Sequence, residues 1–259
     1  MTSLILENVS VDFPIYGAQR SFRKVLFERA TGGLVQREGR NRDRIVVKAL
    51  TNISFALHDG DRLGLIGHNG AGKSTLLKVI AGVYQPVRGR VLVDGTITPL
   101  FDALPGLDGE DTGYENILTA GLLFGLTREH IESLIPNIEQ CSELGEYLGL
   151  PVRTYSAGMT MRLGFAFATA MDPGILLVDE GIGAGDARFA ERAVKRMEEF
   201  IGRSQIVVFA SHSNELVKSM CSKAALMHSG RIVSIGPVEE VLLQYEAMIR
   251  GGALPGQVG

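Results

Sequence analysis

Apolar and polar positions alternate from Leu4 to Phe13, and this alternation predicts an opening strand. Residues 45–57 read as two short strands parted at Thr51-Asn52. Residues 62–67 form an apolar strand that runs straight into a glycine-rich loop, and residues 75–82 form a helix stopped near Gly82. Residues 89–94 predict another strand, closed by Asp94-Gly95. From about residue 112 to 150 the pattern is mostly helical, with one helix beginning at Tyr114 and another over residues 128–141. Ile175–Val178 and Ile206–Ala210 are short, β-branched apolar runs of the kind found in buried parallel strands. A late hairpin is expected across Ser229-Gly230. Strands alternating with helices imply an α/β layered fold, interrupted by a helical block between the glycine loop and the next buried strand.

Two stretches stand apart. Residues 18–30 set Phe22, Val25, Leu26 and Arg29 at helical spacing, which predicts a short amphipathic, basic helix. Gly32-Gly33 and residues 37–44 read as loop, and the Gly/Pro-rich residues 251–259 as a flexible tail. Between Arg20 and Lys48 nine basic residues face three acidic ones, so the remainder of the chain is strongly acidic to reach the overall charge of −3. That overall balance gives no sign of a dedicated nucleic-acid binder. A solvated face is one reading of the basic stretch. The other is an element meeting anionic headgroups or a charged glycan.

A chain of 259 residues buries a sizeable core, and one domain with room for a subdomain is expected. Cys141 and Cys221 lie far apart without metal-ligand spacing, which argues against zinc or a disulfide framework. No run of 18 apolar residues is present and residues 1–10 lack secretory features, so any membrane connection is expected to be peripheral or through a partner.

The chemistry is concentrated in a few places. Gly67-His68-Asn69-Gly70-Ala71-Gly72-Lys73-Ser74-Thr75 fits G-x-x-x-x-G-K-[ST], preceded by a strand and followed by a helix. Glycines let main-chain N–H groups turn toward phosphate oxygens, and the helix N-terminus adds a favourable field. Lys73 would neutralise phosphate charge and Ser74 would offer a hydroxyl to Mg²⁺. The strand Ile175–Val178 ends in Asp179-Glu180. Asp179 is placed to hold Mg²⁺, and Glu180 to polarise an attacking water as general base. Ser156 precedes a long apolar run and would cap its helix, presenting exposed N–H groups to an anion. His212 follows the strand Ile206–Ala210.

In this order, the glycine loop, Tyr155-Ser156-Ala157-Gly158-Met159, residues 175–180, Gly183-Ala184-Gly185-Asp186 and His212 resemble the Walker A, signature, Walker B, D-loop and switch-histidine set of ABC ATPases. The finer resemblance is to the ATPases of O-antigen, capsule and teichoic-acid exporters, the Wzt/RfbE-like group. It is carried by Pro99-Leu100-Phe101 onward to Thr112-Gly113-Tyr114-Glu115-Asn116-Ile117, by Arg153 to Met159, by Met161-Arg162-Leu163 and by the basic insertion before Ile45.

The resemblance implies a P-loop NTPase (RecA-like) fold: a mostly parallel core, an antiparallel β part and a helical signature subdomain. The domain would cover residues 1–250, with its catalytic core at 1–100 and 171–240 and the helical part near 102–170. It further implies ATP and Mg²⁺ bound in a homodimer, with Ser156 and Gly158 of one copy completing the site of the other and Asp186 at the dimer contact. His212 would meet the γ-phosphate. The family's adenine-stacking aromatic would be Tyr16, with Phe13 as the alternative. The glutamine that the family uses beside the metal is missing, and Asp102 lies nearest its position. Partners would be integral membrane permease subunits, with a lipid-linked glycan as cargo and the chain on the cytoplasmic face of the membrane. A soluble ABC-type ATPase of translation or DNA repair is the alternative class. The single motif set and the roughly 80 residues between Gly72 and Tyr155 speak against it.

Overall fold

A computed structural model describes residues 1–15, 35–37, 45–100, 104–179 and 187–250. Tyr16, the predicted basic helix at 18–30, Asp102, Glu180, the Gly183-Ala184-Gly185-Asp186 stretch and the tail lie outside the described residues. The chain divides into two compact units: one of Met1–Gly95, Leu177–Glu180 and Gln205–Gly259, the other of Thr96–Leu176 and Gly181–Ser204.

The first unit contains an antiparallel sheet of β1 (Ser3–Ile15), β2 (Val35–Arg37), β3 (Ile45–His58) and β5 (Arg88–Asp94), in the order β2-β3-β1-β5. Arg37, expected in a loop, ends β2. β3 is one strand, not the two expected, and the reason is visible in its burial. Val46 and Leu50 are buried at even positions, and Ile53 and Leu57 at odd ones. The phase changes at Asn52, whose φ is +55°. The partner strand does the same: Leu4 and Leu6 give way to Val9 and Val11 around Asn8, at φ +51°. The register between the two strands shifts between Leu6 and Val9. An extra residue in each strand makes a β-bulge, and Asn tolerates the left-handed backbone it needs. Hydroxyls on the facing strand satisfy the amides: Asn8 N donates to Ser54 Oγ (2.8 Å) and Asn52 N to Ser10 Oγ (3.0 Å). A pattern break that looks like a strand end is thus a bulge inside a strand.

The same unit holds the buried strand β4 (Arg62–Ile66), lying parallel to both β8 (Ile206–Ala210) and β9 (Lys223–His228). β10 (Arg231–Pro237) pairs antiparallel with β9 as the expected hairpin. Leu177 and Val178, the end of β7 (Ile175–Val178), follow β8 in the sheet order. Residues on β4, β7 and β8 are buried almost throughout, as strands covered on both faces require. Helix α1 (Lys73–Ile80) follows β4 directly.

The second unit is mainly helical, with the short strand β6 (Ile97–Leu100) and helices α2 (Gly113–Leu123), α3 (Arg128–Ser142), α4 (Ala157–Ala170) and α5 (Ala187–Arg203). Ile117, Ile131, Ile138, Leu148, Leu163 and Phe167 meet in its core. Thr112 and Glu115 form a reciprocal capping box at the start of α2, and the amide of Thr112 holds the Glu115 carboxyl below its usual range. Asn116 is buried, and its side-chain amide bonds to the preceding turn through both its oxygen and its nitrogen. Its Oδ1 accepts from Asp108 N (2.8 Å), and its Nδ2 donates to the carbonyls of Asp108, Asp111 and Thr112. That turn fastens the chain ahead of α4 in its place, since Val152 N donates to Asp111 O and Arg153 N to Gly109 O. Two further helices, α6 (Asn214–Met220) and α7 (Val238–Ile249), belong to the first unit.

Candidate active site

The glycine loop leaves β4 at Gly67 and enters α1 at Lys73. Each glycine in it has its own reason to be glycine. Gly67 has φ +146°, and a Cβ there would lie 2.3 Å from the carbonyl oxygen of Met227. Gly72 has φ +108° and would meet Ala49 O at 3.1 Å. Gly70, at φ +81°, has open space around it, so its requirement is conformational alone. Gly72 is also the residue before α1, and having no side chain it leaves the first helical N–H groups uncapped from within. No acidic residue occupies the first turn. The helix therefore offers a positive end with no side-chain cap over it, which suits a phosphate site.

Lys73 is buried, and its ammonium donates to Gly67 O at 2.6 Å and His68 O at 3.4 Å. The charge is thereby held over the loop that would carry the phosphates. Ser74 is exposed beside it. A pocket of about 500 Å³ is lined by residues 69–75 of the loop, by Asp179 just past β7, by His212 just past β8, and by Phe13, Val47 and Ala49 from β1 and β3. Its polar groups stand at the carboxyl ends of β4, β7 and β8, the end of an open α/β sheet where ligands bind. Ser74 and Asp179 supply hard oxygen donors to this one pocket, a donor set that suits Mg²⁺. The structure thus brings together Asn69, Gly70, Ala71, Gly72, Lys73, Ser74, Thr75, Asp179 and His212 from the residues singled out in the sequence, with Gly67 and His68 in the same loop. It also places Phe13, the alternative aromatic, in the pocket wall, edge-on to Tyr84 with ring centroids 5.1 Å apart. Val47 and Ala49 were not singled out, because small apolar residues in a strand look like core.

Ser156 and Gly158 belong to the second unit. Ser156 is the N-cap of α4, with its Oγ accepting from Met159 N at 3.2 Å, so the expected cap is present. Both its side chain and Ala157 are exposed. A Cβ on Gly158 would find nothing nearer than Ser156 Oγ at 3.9 Å, so among the described residues nothing requires glycine there.

Comparison with known proteins gives a family model described as ABC transporter, matching residues 50–183. The O-antigen export system ATP-binding protein RfbE of Yersinia enterocolitica is 50% identical over 234 residues, covering 90% of this chain and 97% of that protein. A teichoic acids export ATP-binding protein, TagH of Listeria monocytogenes, is 40% identical over 78% of this chain, which spans 60% of the Listeria protein's length. Among solved structures, an ATP-binding subunit of an ABC transporter aligns with a TM-score of 0.67 at 23% identity, over 97% of this chain and 95% of that one. A dimeric ATP-binding cassette in a post-hydrolysis state with ADP and Pi aligns with a TM-score of 0.65 at 18% identity, over 91% and 98% of the two chains.

Proposed function

This chain belongs to the ABC transporter family as an ATP-binding subunit, and from that premise we propose that it hydrolyses ATP to drive export of a lipid-linked polysaccharide through a separate membrane permease. The observation that carries the catalytic part is the shared pocket: the phosphate loop, Asp179 and His212, remote in sequence, line one cavity. The cargo assignment is supported by the 50% identity to an O-antigen export protein over nearly its whole length.

In this reading the main-chain N–H groups of residues 70–75 and the Lys73 ammonium hold the β- and γ-phosphates. Ser74 and Asp179 hold Mg²⁺, which supplies charge neutralisation when bound. Glu180 orients a water and takes its proton. The water oxygen bonds to the γ-phosphorus as the bridging bond to the β-phosphate breaks, and ADP leaves. His212 donates to the γ-phosphoryl oxygens. Asp102, the residue nearest the position of the family's missing glutamine, serves the water side. Phe13 supplies an apolar face for the base, with Tyr16 its neighbour in sequence.

Ser156 and Gly158 act on the nucleotide of a second copy, with Asp186 at the contact, so the working unit is a homodimer. Gly158 supports this: its lack of a side chain has no use within its own described surroundings. The ATPase domain extends over residues 1–250. No helix of the described residues is long and apolar enough to cross a membrane, and we assign the chain to the cytoplasmic face, held there by its permease.

The test has two arms. Purified chain should release phosphate from ATP in a Mg²⁺-dependent way; absence of release sinks the catalytic reading. Cells carrying Lys73→Met as their only copy should lose surface polysaccharide and accumulate the lipid-linked glycan inside. Normal surface polysaccharide in those cells sinks the export reading.

A further inference from the structure

The turn Ser229-Gly230 between β9 and β10 is far from the phosphate loop in sequence and touches it in space. Gly230 N donates to Ala71 O of the loop at 2.9 Å. Gly230 O accepts from Thr51 N of β3 at 2.8 Å. One residue therefore bonds through its N–H to the phosphate loop and through its carbonyl to the strand carrying the apolar wall. The fit is close on both sides. Gly230 has φ +73°, and a Cβ there would lie 2.5 Å from Ala49 O and 3.3 Å from Leu50 Cα. Gly72 approaches from the loop, where a Cβ would meet Ala49 O at 3.1 Å and Gly230 Cα at 3.4 Å. Ala49 itself lines the pocket.

Resting on the reading of this pocket as an ATP site, we propose that Gly230 is a positioning residue that sets the distance between the phosphate loop and the base-binding wall. It is not among the residues that line the pocket. The loop keeps its own supports without it, in the Lys73 bond to Gly67 O and the packing of Gly67 on Met227 O. An added Cβ on Gly230 would press on the wall and not on the loop, since its three nearest atoms are Ala49 O, Ala49 C and Leu50 Cα of β3. Gly230 thus governs whether base and triphosphate are satisfied together, and preorganisation of that spacing raises affinity for the whole nucleotide only.

The experiment is calorimetric titration of the full chain with ATP and with inorganic triphosphate, both with Mg²⁺. Gly230→Ala should weaken ATP by about tenfold or more while triphosphate binding changes by less than about twofold. Equal losses for the two ligands, or no loss for either, overturn the proposal. Wild-type chain that binds the two ligands equally would instead overturn the assignment of the apolar wall to the base. Should Gly230→Ala not fold, Ser229→Val strains the same turn, since Ser229 sits at φ +48°. It adds no atom to Gly230, the residue against Ala49. It should lower the ATP-to-triphosphate preference by roughly threefold; an unchanged preference overturns the proposal.

Discussion

A buried ammonium is tolerable only when oxygen surrounds it, and Lys73 meets that condition with the carbonyls of its own loop. Removing the charge leaves the fold's apolar contacts in place and deprives the phosphates of a fixed cation. Lys73→Met should therefore reduce phosphate release by about two to three orders of magnitude, with an unchanged far-ultraviolet dichroism spectrum. Activity within a few-fold of wild type would show that the cation is dispensable. The glycine loop, Asp179 and His212 were legible in the sequence because each is a polar or glycine residue placed just after a buried strand. Val47 and Ala49 were not, since a methyl that lines a pocket and a methyl that lines a core are spelled alike. Gly230 was read only as a turn residue, because its second requirement comes from a carbonyl of β3 across space.

The first turn of helix α4 carries an observed cap and a proposed contact with the nucleotide of a second copy, and substitution separates them. Asp is as good an N-cap as Ser, so Ser156→Asp should hold unfolding stability to within roughly half a kcal/mol. Its carboxylate would repel phosphate, and turnover should fall steeply. Retained turnover in that variant would confine Ser156 to its cap. Gly158 lies inside the helix with space for a Cβ. Gly158→Ala should raise stability by up to about 1 kcal/mol, by the ordinary helix preference for alanine, while lowering ATPase activity. A stabilised and fully active variant would remove the argument for a partner at that position. The elements themselves were legible where periodicity was strong, as in β4, β7, β8 and α3. They were less so where a bulge reset the phase at Asn52, which reads as a strand break, although the opening strand was legible straight through Asn8. They were missed in α5, where the buried Phe189 and Phe200–Ile201 are about three turns apart, with no apolar run between to mark the helix. The knot around Asn116 left no signal, because an asparagine that ties a turn reads like one that faces water.

For the whole molecule the central expectation is assembly. If half of each site belongs to a second copy, association follows nucleotide occupancy and is lost after hydrolysis. Glu180→Gln should keep ATP bound and nearly abolish turnover, a loss of about 10²–10⁴-fold. With ATP and Mg²⁺ it should then sediment at twice the 27.9 kDa of one chain, and as a single chain without nucleotide. A variant that stays monomeric with ATP bound would contradict the shared site. The class of molecule was legible from the order of motifs along the chain, whereas the division into two compact units follows contacts that skip across the sequence.

The clasp of Ser229-Gly230 on the phosphate loop has a consequence for how the protein is made. The loop emerges in the first third of synthesis, but the peptide that braces it against β3 comes from the last. Asp179 and His212 also arrive late. On the proposed role of Gly230, a nascent chain would display the complete glycine loop for most of its translation without holding ATP firmly. If Gly230 sets the spacing as proposed, nucleotide capture would report that the β9–β10 hairpin has docked, and ATP would stabilise only chains in which it has.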